Sequence, residues 1–374
     1  MKISDVRVVT VRIPLKVPKR FATRTVSYRD YTIATVFTDE GLVGWGYCWG
    51  TLLVSIAIEE LLREVLIGED PFAINRLWNK MYKAMAVWDR RGISSRAIAA
   101  IDIALWDLLG RACGMPIYRL LGGFRDKVPA YYSGGYYPVN CSTDAELLGY
   151  LEKEFSTYVQ KGFKAFKMKV GGVSLSLDLK RIELARKIIG DEADLMIDAN
   201  NVWDPDTAIA IARQLEKYRI RWLEEPVAID DLVGCARVAA NVPMPVAIGE
   251  NHFTRWDFRE IVDRKAASIL QGDPTLMGGI TEWLNLAGVA ATYGLILAPH
   301  WTHDLNVQVG AARPEVLYIE YFELESDVFN FQRLLKNPVK ASDGFVRPPD
   351  GPGHGLELDE DAVKHYAYKG STAF

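Results

Sequence analysis

The chain has 374 residues, 49% of them hydrophobic and 25% charged, and a formal net charge of −4. That length allows a large core or two domains, and the slight negative charge offers no basic field for nucleic acid. No stretch approaches the ~18 apolar residues of a membrane span, and the opening MKISDVRVVTVRIPLKVPKR lacks the apolar run of a secretory leader, so neither nucleic acid nor membrane is an expected partner.

In chain order, VRVVTVRI (6–13) and YTIATVFTDEGLVGWGY (31–47) alternate like antiparallel strands, with DEG as a turn. The basic, proline-interrupted stretch between them, PLKVPKRFATRTVSYRD, reads as a mobile loop. A helical region then covers 52–112. It ends in SSRAIAAIDIALWDLLGRACG, with 3.6-residue periodicity, a Ser start and a Gly stop. From residue 128 short apolar strands alternate with amphipathic helices such as DLKRIELARKIIG. The strands are VPAYYSGG, KAFKMKVGG, ADLMIDAN, RWLEEP, PVAIGE, SILQGDP, LILAPH and LYIEY. Steady βα alternation implies a parallel sheet with right-handed crossovers, and eight units favour a closed barrel over an open sheet. The turn-rich tail beyond residue 345 is expected to pack back on the first domain. Cys48, Cys113, Cys141 and Cys235 are far apart and lack metal-type spacing, as expected for reduced thiols in a cytoplasmic protein.

A βα barrel builds its active site at the carboxyl ends of its strands. Here those ends carry Lys167 and Lys169, Asp198, Glu224, Glu250, Asp273, His300 and Glu320. Any one acid could be a helix N-cap or a first-turn residue. Their recurrence at the same relative place, strand after strand, points instead to a shared pocket. Asp198, Glu224 and Glu250 end successive strands, 26 residues apart each time (224−198 and 250−224), and should stand side by side. Three converging carboxylates call for a cation. An all-oxygen set suits a hard ion, Mg²⁺ first. Glu225 is the weaker choice, because strand neighbours face opposite ways.

Asp273 and His300 end neighbouring strands, where a carboxylate can fix the imidazole tautomer and raise its basicity; His303 is a nearby competitor. Lys167 and Lys169 share one face of their strand, and an anionic site would hold both charges. Lys169 is cast as a base facing His300 across the substrate, and Lys167 as the cation beside the substrate carboxylate. A neighbouring ammonium and a divalent ion are expected to depress the lysine pKa.

Together KMK (167–169), DAN (198–200), EEP (224–226), GEN (249–251), GDP with MGGIT (272–281), PH (299–300) and AIDIALWDLLGRACGMPIYRLLGG (100–123) resemble the enolase superfamily, in its mandelate racemase branch. The resemblance covers nearly the whole chain. It implies an α/β fold: a (β/α)7β TIM-like barrel over 127–344, and an α+β capping domain over 1–126 completed by 345–374. It also implies one Mg²⁺, abstraction of a proton α to a carboxylate through an ene-diolate, and Glu320 as a protonated electrophile. Residue 200 is Asn, so the extra histidine of some sugar-acid dehydratases is absent; Asn200 is kept as a substrate contact. Tyr47 stands where many relatives have an acid.

Dehydration of an acid sugar, mono- or diacid, to a 2-keto-3-deoxy product is the favoured outcome, with a 2-hydroxy-acid racemase or epimerase as runner-up. A Schiff-base aldolase on Lys169 and a non-catalytic binding protein are readings of other classes. The stretch after the first strand, with Lys16, Lys19, Arg20, Arg24 and Arg29, is expected to close over the distal end of the substrate. Arg20, Arg24, Tyr28 and Trp49 are the substrate contacts expected from the cap, and Phe21 could help exclude water. A homo-oligomer, dimer to octamer, is expected.

Overall fold

A computed structural model of the chain describes residues 1–368; residues 369–374, the end of the expected tail, lie outside the described residues. The amino-terminal part is an antiparallel sheet of Ile3–Arg20, Thr25–Thr38 and Val43–Trp49, in that spatial order. It packs on the helix Ile93–Cys113, against which the helix Ile74–Met85 lies. Gly44 and Gly46 permit the close approach, since a Cβ at either would collide with the carbonyls of Ala104 and Ala100. The helix ends at Gly114, whose φ of 64° suits a residue without a side chain.

The supposed mobile loop is a twisted β-ribbon. Ile13 pairs with Arg29 and Pro14 with Tyr28; after an irregularity, Lys19 pairs with Val26 and Arg20 with Thr25. Residues 21–24 make the turn, closed by the Phe21 N–H donating to the Arg24 carbonyl at 2.8 Å. Pro14 and Pro18 misled the reading because a proline at a bulge gives up no ladder hydrogen bond.

Eight parallel strands follow and close on themselves: Val128–Gly134, Ala165–Lys169, Asp194–Asp198, Ile220–Glu224, Val246–Ile248, Ile269–Leu270, Ile296–Leu297 and Ile319–Tyr321. The last pairs with the first, Glu320 opposite Tyr131. All eight expected strands are present, with helices between them, so the architecture is the (β/α)7β barrel. Local signals set the helix starts: a Thr143–Glu146 capping box before Asp144–Gln160, Ser174 before Leu175–Ile189, and Asp204 with Pro205 before Pro205–Gln214.

Inside the barrel, side chains two apart on a strand form vertical columns. The lower layer is apolar: Tyr131, Ala165, Met196, Trp222, Ala247, Ile269 and Ala298 form one buried cluster. Two or four residues further along most of the same strands, the column becomes Lys167 and Lys169, Asp198, Glu224, Gln271 and Asp273, and His300. The lysine pair therefore stands in the barrel lumen above a dry plug.

The tail begins by pairing Phe345–Val346 with Val128–Pro129 of the first barrel strand. It then meets the cap: the Ile117 N–H donates to the Gly353 carbonyl at 2.8 Å, and the His354 N–H to Asp107 at 3.2 Å. Among the described residues no helix is long and apolar enough to cross a membrane.

Candidate active site

Backbone pairing sets the level of the first charged groups: Lys169 lies opposite Asp198, and Asp198 opposite Glu224. Carboxylate oxygens of Asp198, Glu224 and Glu250 lie within 4.8 Å of one another, and all three residues are buried. Glu224 Oε2 accepts from Gln271 Nε2 at 2.6 Å and Trp222 Nε1 at 3.0 Å. Asp198 Oδ1 accepts from the Asn200 N–H at 2.8 Å. The second oxygen of each meets a lysine, Asp198 Oδ2 with Lys169 and Glu224 Oε1 with Lys167. Glu250 accepts no hydrogen bond from the described residues, and His300 Nε2 lies 3.6 Å from its Oε1. Burial, then the neighbouring Asp198 and Glu250 carboxylates, push Glu224 well above the ordinary range against the pull of Lys167. This all-oxygen cluster fits a hard divalent cation, which would relieve that repulsion.

The lysines answer the triad in the opposite sense from expectation. Lys169 Nζ is 2.5 Å from Asp198 Oδ2; Lys167 pairs with Glu224 and lies 2.8 Å from Glu320 Oε1. Burial pulls Lys169 down, but Asp198 and other neighbours outweigh it, so both ammonium groups are held above their ordinary value. The reason is direct contact with carboxylates, Glu224 and Glu320 for Lys167 and Asp198 for Lys169.

Glu320 also departs from its expected state. Burial raises it, yet Lys167 and His300 bring it down to about 2. Its Oε2 accepts the Trp301 N–H at 2.8 Å, so it stands as a carboxylate and not as a protonated donor. His300 Nδ1 meets Asp273 Oδ2 at 3.0 Å. Burial lowers the imidazole, but Glu250 and Asp273 more than offset this and raise it above its ordinary value.

Lys169, Glu250, His300 and Glu320 line one narrow cavity of about 10 Å³ between barrel and cap. Arg24, Trp49 and Phe21 of the cap line it too. Two expected contacts do not. Arg20 lies exposed over the Tyr137 ring, and Tyr28 is exposed under the Arg12 guanidinium, 4.0 Å from its ring centroid. Strand alternation explains Tyr28: its neighbour Arg29 faces the cavity, so Tyr28 faces out. Asn200 is buried beside Asp198 and does not line the cavity; its side-chain oxygen has no protein partner. His303 is packed between the rings of Tyr321 and Phe329, away from the cavity wall.

The structure adds residues that sequence reasoning passed over. Gln271 precedes Asp273 on the same inward column, a signal readable from parity alone. Glu225 faces away from the triad and accepts from Asn201 Nδ2 at 2.8 Å and Asn251 Nδ2 at 2.7 Å, tying together the loops after three metal-type acids. Asn200, Asn201, Glu225 and Trp301 all adopt positive φ; such backbone strain gathers where geometry is imposed by a site.

The family described as "Mandelate racemase / muconate lactonizing enzyme, N-terminal domain" matches residues 3–122, and "Enolase C-terminal domain-like" matches 151–362. The chain belongs to the mandelate racemase / muconate lactonizing enzyme family of the enolase superfamily. Within that family it is 35% identical to the arabinonate dehydratase of Saccharolobus solfataricus over 339 residues, 89% of each chain. It is 34% identical to the 3,6-anhydro-alpha-L-galactonate cycloisomerase of Streptomyces coelicolor, over 98% of this chain and 99% of that one. A racemase from Streptomyces coelicolor A3(2), solved with bound magnesium, superposes with a TM-score of 0.90 at 33% identity. The match covers 98% of this chain and 100% of that chain.

Proposed function

We propose that the protein is a Mg²⁺-dependent lyase that dehydrates an acid sugar to a 2-keto-3-deoxy acid. The observation that carries this reading is one cavity holding Lys169, the Asp273-supported His300 and Glu250 of the buried carboxylate triad. Asp198, Glu224 and Glu250 would hold the ion, which when bound stabilises the charge that builds on the substrate carboxylate as its α-proton leaves.

Lys167 adds a second positive charge on that side. Lys169 is held as an ammonium by Asp198; with that carboxylate committed to the ion, it would release its proton and, as the free amine, take the C2 proton. His300, as imidazolium, gives its Nε2 proton to the C3 hydroxyl, which departs as water. The enol left behind takes a proton at C3 and becomes the 2-keto acid, so one water is lost. Glu320 anchors Lys167 and the Trp301 N–H. Trp49 and Phe21 roof the cavity and exclude water. Four free cysteines are in keeping with a reducing, cytoplasmic setting.

A second reading, cycloisomerisation, is favoured by the 98% coverage of a cycloisomerase and would begin with the same proton removal. A panel of acid sugars incubated with Mg²⁺ and read by semicarbazide and mass separates the two. Dehydration predicts a 2-keto product one water lighter than its substrate. An isomeric product would contradict it and point to cycloisomerase or racemase chemistry.

A further inference from the structure

We propose that the acid sugar is a diacid, and that Arg29 binds its second carboxylate; the proposal rests on the dehydratase reading. Arg29 lies on Thr25–Thr38 with 3% of its surface exposed, and its guanidinium faces the cavity. It stands 4.5 Å from the ring centroid of Trp301, 5.3 Å from Trp49 and 5.8 Å from Phe21. Its Nε is buried without a hydrogen-bond partner, and among the described residues no carboxylate pairs with it.

Four other cations of the barrel and cap are satisfied, while Arg24 in the same cavity and the buried Lys19 have no carboxylate partner among the described residues. Lys167 and Lys169 have carboxylates, Arg181 has Asp178, and Arg96 donates to the Trp49 carbonyl. A guanidinium withdrawn from water without an anion is costly, and three ring faces offset only part of that. What completes the site is a planar oxyanion able to accept two parallel N–H bonds, which is a carboxylate.

The position agrees with a distal group. The Trp301 ring stacks beside His300, 5.7 Å between centroids, and Arg29 packs on the same indole. Arg29 and the imidazole thus share one indole and one cavity, and the far end of a chain with C2 and C3 at Lys169 and His300 would reach toward the guanidinium. Arg24 adds a second positive charge to the same cavity. An aldonic acid would place a hydroxymethyl group there and leave the guanidinium without its anion.

Galactarate and galactonate are a matched pair differing only at that terminus. The wild-type enzyme should prefer galactarate by about 30-fold in kcat/KM, the value of a charge-assisted bidentate contact. Arg29→Gln should reduce the preference to within about 3-fold, chiefly through KM, and Arg29→Lys should keep part of it. In a Lys169→Ala background, where turnover is removed, calorimetric titration should show the same loss of galactarate affinity on Arg29→Gln. Equal losses for both ligands would make Arg29 a structural cage cation and overturn the proposal. Dehydration of galactonate with no preference for galactarate would overturn it too, and leave the dehydratase reading standing. Preferential galactarate binding that depends on Arg29, with no dehydration of any acid sugar, would uphold the diacid site and reject that reading.

Discussion

His300 presents Nδ1 to Asp273 Oδ2 at 3.0 Å, while Asp273 Oδ1 accepts both the N–H and the hydroxyl of Thr275 at 2.7 Å. The carboxylate cannot turn without losing two donors, so it holds the imidazole with Nδ1 protonated and Nε2 toward the cavity. In Asp273→Asn the Thr275 donors would keep the amide oxygen, and the amide nitrogen would face Nδ1. That forces the wrong tautomer. We expect kcat to fall by a factor on the order of 10² to 10⁴ with little change in KM; steady-state kinetics at constant Mg²⁺ check it.

The triad predicts a metal effect separate from catalysis. Mg²⁺ at about 100 times its Kd should stabilise the fold by about 2.7 kcal/mol. The increment, read by thermal unfolding with and without chelator, should vanish in Glu224→Gln and in Asp198→Asn. An unchanged Mg²⁺ increment in both variants would place the ion elsewhere.

His303 supplies a pH prediction. Burial lowers its pKa from 6.5 to about 3, so the folded state keeps it neutral where the unfolded chain would protonate it. Its contribution is complete above pH 6.5 and is lost as pH falls toward 3, at about 1.4 kcal/mol per pH unit. Between pH 7.5 and 5 this group should cost about 2 kcal/mol. His303→Phe, filling the slot between Tyr321 and Phe329, should remove that slope. Denaturant titrations at the two pH values compare the variant with the wild type.

Tyr47 joins cap to barrel. Its hydroxyl donates to Asp304 Oδ1 at 2.5 Å, and its ring stacks on Phe331 at 3.7 Å. Tyr47→Phe leaves a buried carboxyl without that donor and should cost about 1–3 kcal/mol. Activity of the folded variant should persist, because Tyr47 does not line the cavity.

Much of this was legible from the sequence because barrel strands repeat one rule. Period-two parity put Lys167, Lys169, Asp198, Glu224 and His300 on inward columns, and strand order made neighbours of the acids. What escaped needed pairing partners that the sequence does not print. Pro14 and Pro18 read as loop until the register showed a bulge, and with the ribbon unrecognised the alternation of Tyr28 and Arg29 had no meaning. Lys169 and Glu320 misled for another reason: their charge states depend on which carboxylate or ammonium each touches within 3 Å, a distance no spacing rule contains.

The most direct test follows the C2 proton by NMR in D₂O, for wild type, Lys169→Ala and His300→Asn, each with Mg²⁺ and with chelator. Only the Mg²⁺-loaded wild type should form product, carrying deuterium at C3, while both variants remain folded and form none. Product at the wild-type rate from either variant, or from the wild type under chelator, would contradict two proton carriers working across a metal site.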